Sequence, residues 1–98
     1  MTYARIARFT GVTPEQIAST VAAIETAEGP PPGVPSSGVT IVVDEEEGAV
    51  VIIGFFDSEQ DLRAGDRALR SMDPPGGPLG TLASIDMGEI RVQRLTRR

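Results

Sequence analysis

The hydrophobic pattern is clearest in residues 49–56, AVVIIGFF, an eight-residue segment without a charged or polar side chain. A strand with one solvated face has polar residues at every second position. In this segment both phases of the alternation carry valine, isoleucine or phenylalanine. The segment is therefore predicted to be a strand that is buried on both faces.

Three further segments have the composition of strands. YARIARF at 3–9 mixes aromatic, aliphatic and arginine residues, and VTIVV at 39–43 is β-branched at every position. The last strand is predicted over 83–93, ASIDMGEIRVQ. Its hydrophobic alternation slips by one residue around Gly88–Glu89, so we predict a β-bulge there.

The first of two predicted helices begins at a strong cap signal. Thr13 precedes a proline at the first helical position, and Gln16 follows three residues after the cap. The helix should end near Gly29–Pro30. Its hydrophobic stripe comprises Ile17, Val21 and Ile24.

The second predicted helix begins at Ser58, where Asp61 stands in the place of the usual capping-box glutamate. It should end at Met72–Asp73, because the following PPGGP at 74–78 cannot continue a helix. Its hydrophobic stripe comprises Leu62, Leu69 and Met72, with Ala68 beside it.

The order of the elements predicts an α+β fold. Strand, helix, strand, strand, helix, strand suits a ferredoxin-like domain, an antiparallel four-stranded sheet with both helices on one face. The 98 residues are enough for one such domain, spanning 1–98. Helices on one side leave the other side of the strand at 49–56 uncovered. We therefore predict a homodimer in which a second copy covers it.

Charge excludes some classes of partner. The net charge of −5 is unsuited to nucleic acid, and no hydrophobic run approaches the ~20 residues of a membrane span. Without a signal-peptide pattern, the expected location is the cytoplasm. Four of the nine arginines lie near the C-terminus, where they form either a solvated tail or a docking site for an acidic partner: Arg91, Arg94, Arg97 and Arg98.

The absent residue types limit the possible chemistry. The sequence has no Lys, His, Cys, Trp or Asn, so imidazole bases, lysine Schiff bases and thiol nucleophiles are excluded. No metal site and no cofactor are predicted. The acidic run at 44–47 is a solvated hairpin turn or a weak site for a divalent cation.

Polar and aromatic residues of the strands are the candidates for a ligand pocket. Asp86 is expected to face Arg5 or Arg8 across neighbouring strands, either as a plain ion pair or as part of a site where arginine orients an anionic ligand. Tyr3 or Asp86 would then exchange the proton. The candidate set is Tyr3, Arg5, Arg8, Phe9, Phe56 and Asp86, with Ser84 as a further polar group.

Two proline- and glycine-rich segments, 29–38 and 74–80, connect the predicted elements. Such segments are ordinary helix stops, and they are also suited to act as lids over a pocket. Both interpretations stay open from the sequence.

Several motifs resemble the dimeric α/β-barrel superfamily, and within it the antibiotic biosynthesis monooxygenase-like domains. They are YARIARFTG at 3–11, PGV at 32–34, DEEEG at 44–48, VVIIGFFDSEQDL at 50–62 and GEI at 88–90. The resemblance implies two sheets packed face to face in a dimer. It also implies a small-molecule cavity between sheet and helices in each protomer.

Two functions follow from that resemblance. One is a dimer that binds a small hydrophobic ligand without catalysis, and the other is a cofactor-independent monooxygenase acting on a hydrophobic or aromatic substrate. Related oxygenases commonly use Asn, Trp or His, and haem-degrading relatives ligate iron through His. Because none of these residue types is present, the non-catalytic role is favoured.

Overall fold

The protein folds into a four-stranded sheet packed against two helices. A computed structural model describes residues 1–96, and Arg97 and Arg98 of the C-terminal arginine cluster lie outside the described residues. The elements are β1 (Tyr3–Thr10), α1 (Pro14–Thr26), β2 (Gly38–Asp44), β3 (Ala49–Phe56), α2 (Glu59–Arg70) and β4 (Thr81–Glu89).

The sheet has the strand order β2-β3-β1-β4, and every neighbouring pair is antiparallel. In the register of β1 with β3, Phe9 lies opposite Val50 and Tyr3 opposite Phe56. Val50 packs with residues of α1 and Phe56 with residues of α2, so both helices lie on the same side of the sheet. The predicted ferredoxin-like fold is confirmed.

Both predicted helix starts are confirmed by their caps. Thr13 Oγ1 accepts a hydrogen bond from the Gln16 amide, and Gln16 Oε1 accepts one from the Thr13 amide, each at 3.2 Å. Ser58 Oγ accepts from the Asp61 amide at 3.1 Å. These bonds satisfy amides that have no partner within the helix.

The end of the sheet differs from the prediction. β4 spans Thr81–Glu89, which is earlier than the predicted 83–93. Its pairing with β1 is irregular at one point: Arg8 pairs with Ser84, but the next residue, Phe9, pairs with Leu82, so Ala83 is left over. The predicted bulge at Gly88–Glu89 is therefore wrong. A bulge is fixed by the pairing with β1, which the local alternation of β4 does not reveal.

The core consists of two clusters between sheet and helices. One contains Val12, Ile17, Val50 and Leu79. The other contains Val34, Phe56 and Leu62, with residues of the second half of α2 packed against it. Ile17 and Leu62 are the first residues of the two predicted hydrophobic stripes. Because both belong to the core clusters, each stripe faces the core as the sequence predicted.

The opposite face of the sheet is a largely hydrophobic surface, which we call the bare face. It carries Ala4, Ile6, Arg8, Thr40, Val42, Val51, Ile53, Phe55, Ser84 and Asp86. Val42 is 52% exposed and Ile6 is 36% exposed, while the β3 residues are half-buried. The helices thus cover one side of β3, and its other side forms part of the bare face.

Neither helix of the described residues has the length and hydropathy needed to cross a lipid bilayer.

Candidate functional site

A large cavity lies between the sheet and the helices. Its volume is about 980 Å³, and its floor is formed by the helix-facing residues of the sheet, including Ala7, Ile52 and Gly54. Ile24 from the end of α1 and Leu69 from the end of α2 form its sides. The two core clusters lie toward opposite ends of β3, with Val50 in one and Phe56 in the other, and each contributes a lining residue to the cavity, Leu79 and Phe56.

Both proline- and glycine-rich segments line this same cavity. The first contributes Pro30, Pro31 and Val34, and the second contributes several residues from Pro74 to Gly80. Each segment is anchored by one buried hydrophobic residue, Val34 in the first and Leu79 in the second. The predicted role of these segments as lids is consistent with their position and stays a prediction.

The second segment is also tied to α1. The Gly80 amide donates a hydrogen bond of 3.2 Å to Gln16 Oε1, the same oxygen that closes the helix cap. Gly76, at φ +84°, passes so close to α1 that a Cβ there would lie 2.6 Å from the carbonyl carbon of Ser19. The position of the segment is therefore fixed by contacts with the first turns of the helix.

Arg5, Asp66 and Arg70 form a partly buried ionic cluster at the cavity, which we call the arginine–aspartate cluster. Arg5 Nε donates to Asp66 Oδ1 at 3.0 Å. Arg70 Nε donates to both carboxylate oxygens, at 3.0 Å to Oδ1 and 2.9 Å to Oδ2. The side chains of Arg5 and Asp66 are only 10% and 13% exposed, while that of Arg70 is 54% exposed.

The close approach of α2 makes this cluster possible. Gly65 packs directly on the ring of Phe56, and a Cβ there would lie 2.7 Å from Phe56 Cζ. Because Asp66 is the next residue, the same contact brings its carboxylate to the sheet beside Arg5. The glycine in α2 is therefore explained by packing, although glycine weakens a helix.

The cluster keeps the Asp66 carboxylate ionised. Burial opposes the charged form and would raise the pKa, but hydrogen bonds from Arg70 and Arg5, together with their positive charges, outweigh it. The net effect holds the pKa of Asp66 below its ordinary value of 3.8.

Arg5 has donors left over for a ligand. Its Nε is used by Asp66, and within residues 1–96 its two terminal nitrogens make no hydrogen bond. These nitrogens are not among the fully buried unpartnered atoms of the described residues, and Arg5 is a wall residue of the cavity. Their N–H groups can therefore donate to water or to a ligand in the cavity.

The structure separates the sequence-derived candidates into two groups. Arg5, Phe9 and Phe56 line the cavity, and Tyr3 lies on the same face, packed against the Phe56 cluster. Arg8 and Asp86 lie on the bare face with Ser84, so they do not line the cavity.

Of the two predicted partners of Asp86, Arg5 is wrong, whereas Arg8 lies on the same face of the sheet as Asp86. Asp86 lies opposite Ile6 and therefore points away from Arg5, whose cross-strand neighbour is Met87. Within the described chain, neither Arg8 nor Asp86 takes part in an ion pair. The carboxylate that binds Arg5 comes from α2.

Sequence reasoning missed Asp66 and Arg70. A signal was present, because Asp66 is four residues after Leu62 and three before Leu69, on the hydrophobic stripe of α2. A carboxylate on such a stripe is buried and needs a cationic partner. Arg70 follows it by one helical turn, the spacing of a helical ion pair.

Two acidic side chains line the outer part of the cavity. Glu28 and Asp73 are both exposed, and each belongs to a connecting segment next to a helix end. Across residues 1–96, no group of three or more acidic side chains is close enough together to hold a metal ion.

Comparison with known proteins bears on the fold. No protein-family model matches the chain, and no curated protein sequence matches it either. Among solved structures, a crystal structure from Chloroflexus aurantiacus J-10-fl, provisionally described as an antibiotic biosynthesis monooxygenase, aligns with a TM-score of 0.60. The alignment covers 96% of this chain and 97% of the other at 16% sequence identity. The chain thus shares the ferredoxin-like fold of that structure.

Proposed function

We propose that the protein binds a small, largely hydrophobic molecule in the cavity between sheet and helices. The observation that carries this proposal is a cavity of about 980 Å³ whose lining is mostly hydrophobic and includes a few polar groups. Ligand sites of soluble proteins typically have volumes of roughly 300–1,000 Å³ and this kind of lining.

A titration with 2-naphthylmethanol, followed by the amide signals of isotopically labelled protein, tests binding. We expect shifts at cavity residues such as Ile24 and Leu69 and none at the bare-face residue Val42. A variant, Leu82→Trp, places a large ring at the edge of the cavity, where Leu82 is 47% exposed. The matched control is Leu95→Trp, because Leu95 is 91% exposed and is not among the lining residues.

Leu82→Trp should weaken binding, and Leu95→Trp should leave it unchanged. Shifts that spread over the bare face instead, or equal affinity in both variants, would place the ligand elsewhere and contradict the proposal.

We further propose that the bare face pairs with the bare face of a second copy. Support comes from its hydrophobic composition, since a contiguous apolar surface on a monomer usually marks an interface. The face also carries Arg8 and Asp86, and no ion pair within residues 1–96 uses either. A two-fold axis would bring opposite charges of two copies within reach of each other.

Oxygenation of the bound molecule is the second candidate function. The likeness of the fold to the Chloroflexus aurantiacus structure favours it. Absence of His, Trp and Asn argues against the machinery of related oxygenases. The predicted cytoplasmic location, and the absence of nucleic-acid and membrane partners, stay predictions from the sequence.

Oxygen uptake in the presence of 1-naphthol separates the two functions. A monooxygenase would convert 1-naphthol and O₂ into naphthoquinone and water, with the substrate supplying the electrons. Uptake that is lost in Leu82→Trp and retained in Leu95→Trp would establish catalysis in the cavity. If the rate of oxygen uptake equals the rate without protein, catalysis is excluded for 1-naphthol and only the binding function remains.

A further inference from the structure

We propose that the ligand is an amphipathic monoanion whose carboxylate-type head binds the terminal nitrogens of Arg5 and Arg70. This inference rests on the proposed binding function and specifies the chemistry of the ligand. It depends on the arginine–aspartate cluster, whose two arginines both line the cavity.

The charge of the cluster is unbalanced. Two guanidinium groups share a single carboxylate, because Asp66 Oδ1 accepts from both Arg5 Nε and Arg70 Nε. The low pKa of Asp66 keeps one negative charge against two positive charges at neutral pH. One further negative charge would neutralise the cluster, and it would do so where burial strengthens the attraction.

The donors of the cluster are arranged for an oxyanion. The two arginines donate to Asp66 only through their Nε atoms, so within residues 1–96 the terminal nitrogens of Arg5 make no hydrogen bond and stay available for a ligand. The Arg5 side chain is nine-tenths buried and is part of the cavity wall. Planar guanidinium groups bind carboxylates with two parallel hydrogen bonds, which a neutral hydroxyl cannot reproduce.

The other lining residues set the remainder of the ligand. Glu28 and Asp73 also line the cavity and are exposed, and their negative charges disfavour a second anionic group on the ligand. Much of the wall is hydrophobic, with Ile52, Leu69 and Met72 among its residues. A ligand with one anionic group and an apolar body fits this lining.

The test compares three probes of one ring system near pH 7: 2-naphthoate, 2-naphthylmethanol and 2,6-naphthalenedicarboxylate. Affinities are measured by calorimetry for the natural protein and for Arg5→Gln and Arg70→Gln. Arg8→Gln is the matched control, since Arg8 is on the same strand, carries the same charge and lies on the opposite face. Arg70 is 54% exposed on α2, so Arg70→Gln tests the cluster even if Arg5→Gln does not fold.

We expect 2-naphthoate to bind the natural protein at least about tenfold more tightly than the other two probes, as charge-assisted hydrogen bonds require. The preference over 2-naphthylmethanol should fall in Arg70→Gln and in Arg5→Gln, and should persist in Arg8→Gln. Equal affinities for the acid and the alcohol, or a preference unchanged in Arg70→Gln, would overturn this inference while leaving cavity binding intact. Binding of none of the probes would overturn both.

Discussion

Arg5 on β1 and Asp66 on α2 are 61 positions apart in the chain and are joined by a 3.0 Å hydrogen bond between Nε and Oδ1. The bond crosses from sheet to helix beside the cavity, so it links the stability of the fold to the electrostatics of the site. Ion pairs this deeply buried contribute little net stability as pairs, but removal of one partner leaves an uncompensated charge.

Asp66→Asn should therefore be strongly destabilising. The variant keeps the shape of the side chain but leaves Arg5 buried without a counter-charge, which should cost about 3 kcal/mol of the free energy of unfolding. The control is Glu59→Gln, which removes the exposed 3.6 Å pair with Arg63 and should cost no more than about 0.5 kcal/mol. Urea unfolding curves with matching slopes measure both, and similar losses in the two variants would contradict the assigned role of Asp66.

The stabilisation by Asp66 should depend on pH. Its pKa is lower in the folded state than the ordinary 3.8, so the unfolded state binds more protons as the pH falls. The contribution is fully present above pH 4 or so and is lost as the pH falls through the pKa of the folded state. The difference in unfolding free energy between the natural protein and Asp66→Asn should shrink over that range. The other carboxylates are the same in both proteins, so their contributions cancel in this difference. A difference that stays constant from pH 6 to pH 3 would exclude this linkage.

Gly65→Ala should destabilise the protein although alanine is the better helix former. The new methyl group would overlap the ring of Phe56, which is completely buried and cannot move aside freely. Overpacking typically costs about 1–3 kcal/mol, which exceeds the gain of roughly 1 kcal/mol in helix propensity. Gly29→Ala, where a Cβ meets nothing within 4 Å, serves as the control and should change the melting temperature little. A more stable Gly65→Ala would show that α2 is not held this close to the sheet.

The proposed pairing of two bare faces predicts that the protein has the mass of two chains at micromolar concentration. Sedimentation equilibrium measures this mass. Val42→Arg introduces a charge on the bare face and should shift the mass toward one chain. Val92→Arg makes the same change at an 83% exposed position after β4 and should leave the dimer intact. A single-chain mass for the natural protein would rule the dimer out.

Local signals were sufficient for the helix starts and for β3. Thr13 and Ser58 mark the helix starts, and β3 has the predicted bounds of 49–56 because its hydrophobic run lies between Gly48 and Asp57. The strand order followed from the ferredoxin-like pattern of the elements.

The site was less predictable, because it depends on which face each strand turns to the helices. Arg5 and Arg8 are chemically identical and lie on one short strand, and only the register with β3 shows that Arg5 faces the cavity. Asp66 required a different inference, from its place on a hydrophobic stripe rather than from strand pairing. The register shift of β4 depends on its partner strand and has no local signal in the Gly88 region.

The alternation of β1 separates its two kinds of surface by a single residue. Arg5, Ala7 and Phe9 face the cavity, while Ala4, Ile6 and Arg8 belong to the bare face. Deletion or insertion of one residue in this strand would turn the residues on one side of the change to the other face, placing bare-face residues such as Ile6 toward the cavity. A two-residue change would restore the facing of each position. A substitution in this strand therefore acts on one surface, but a change in its length by one residue would damage both surfaces together.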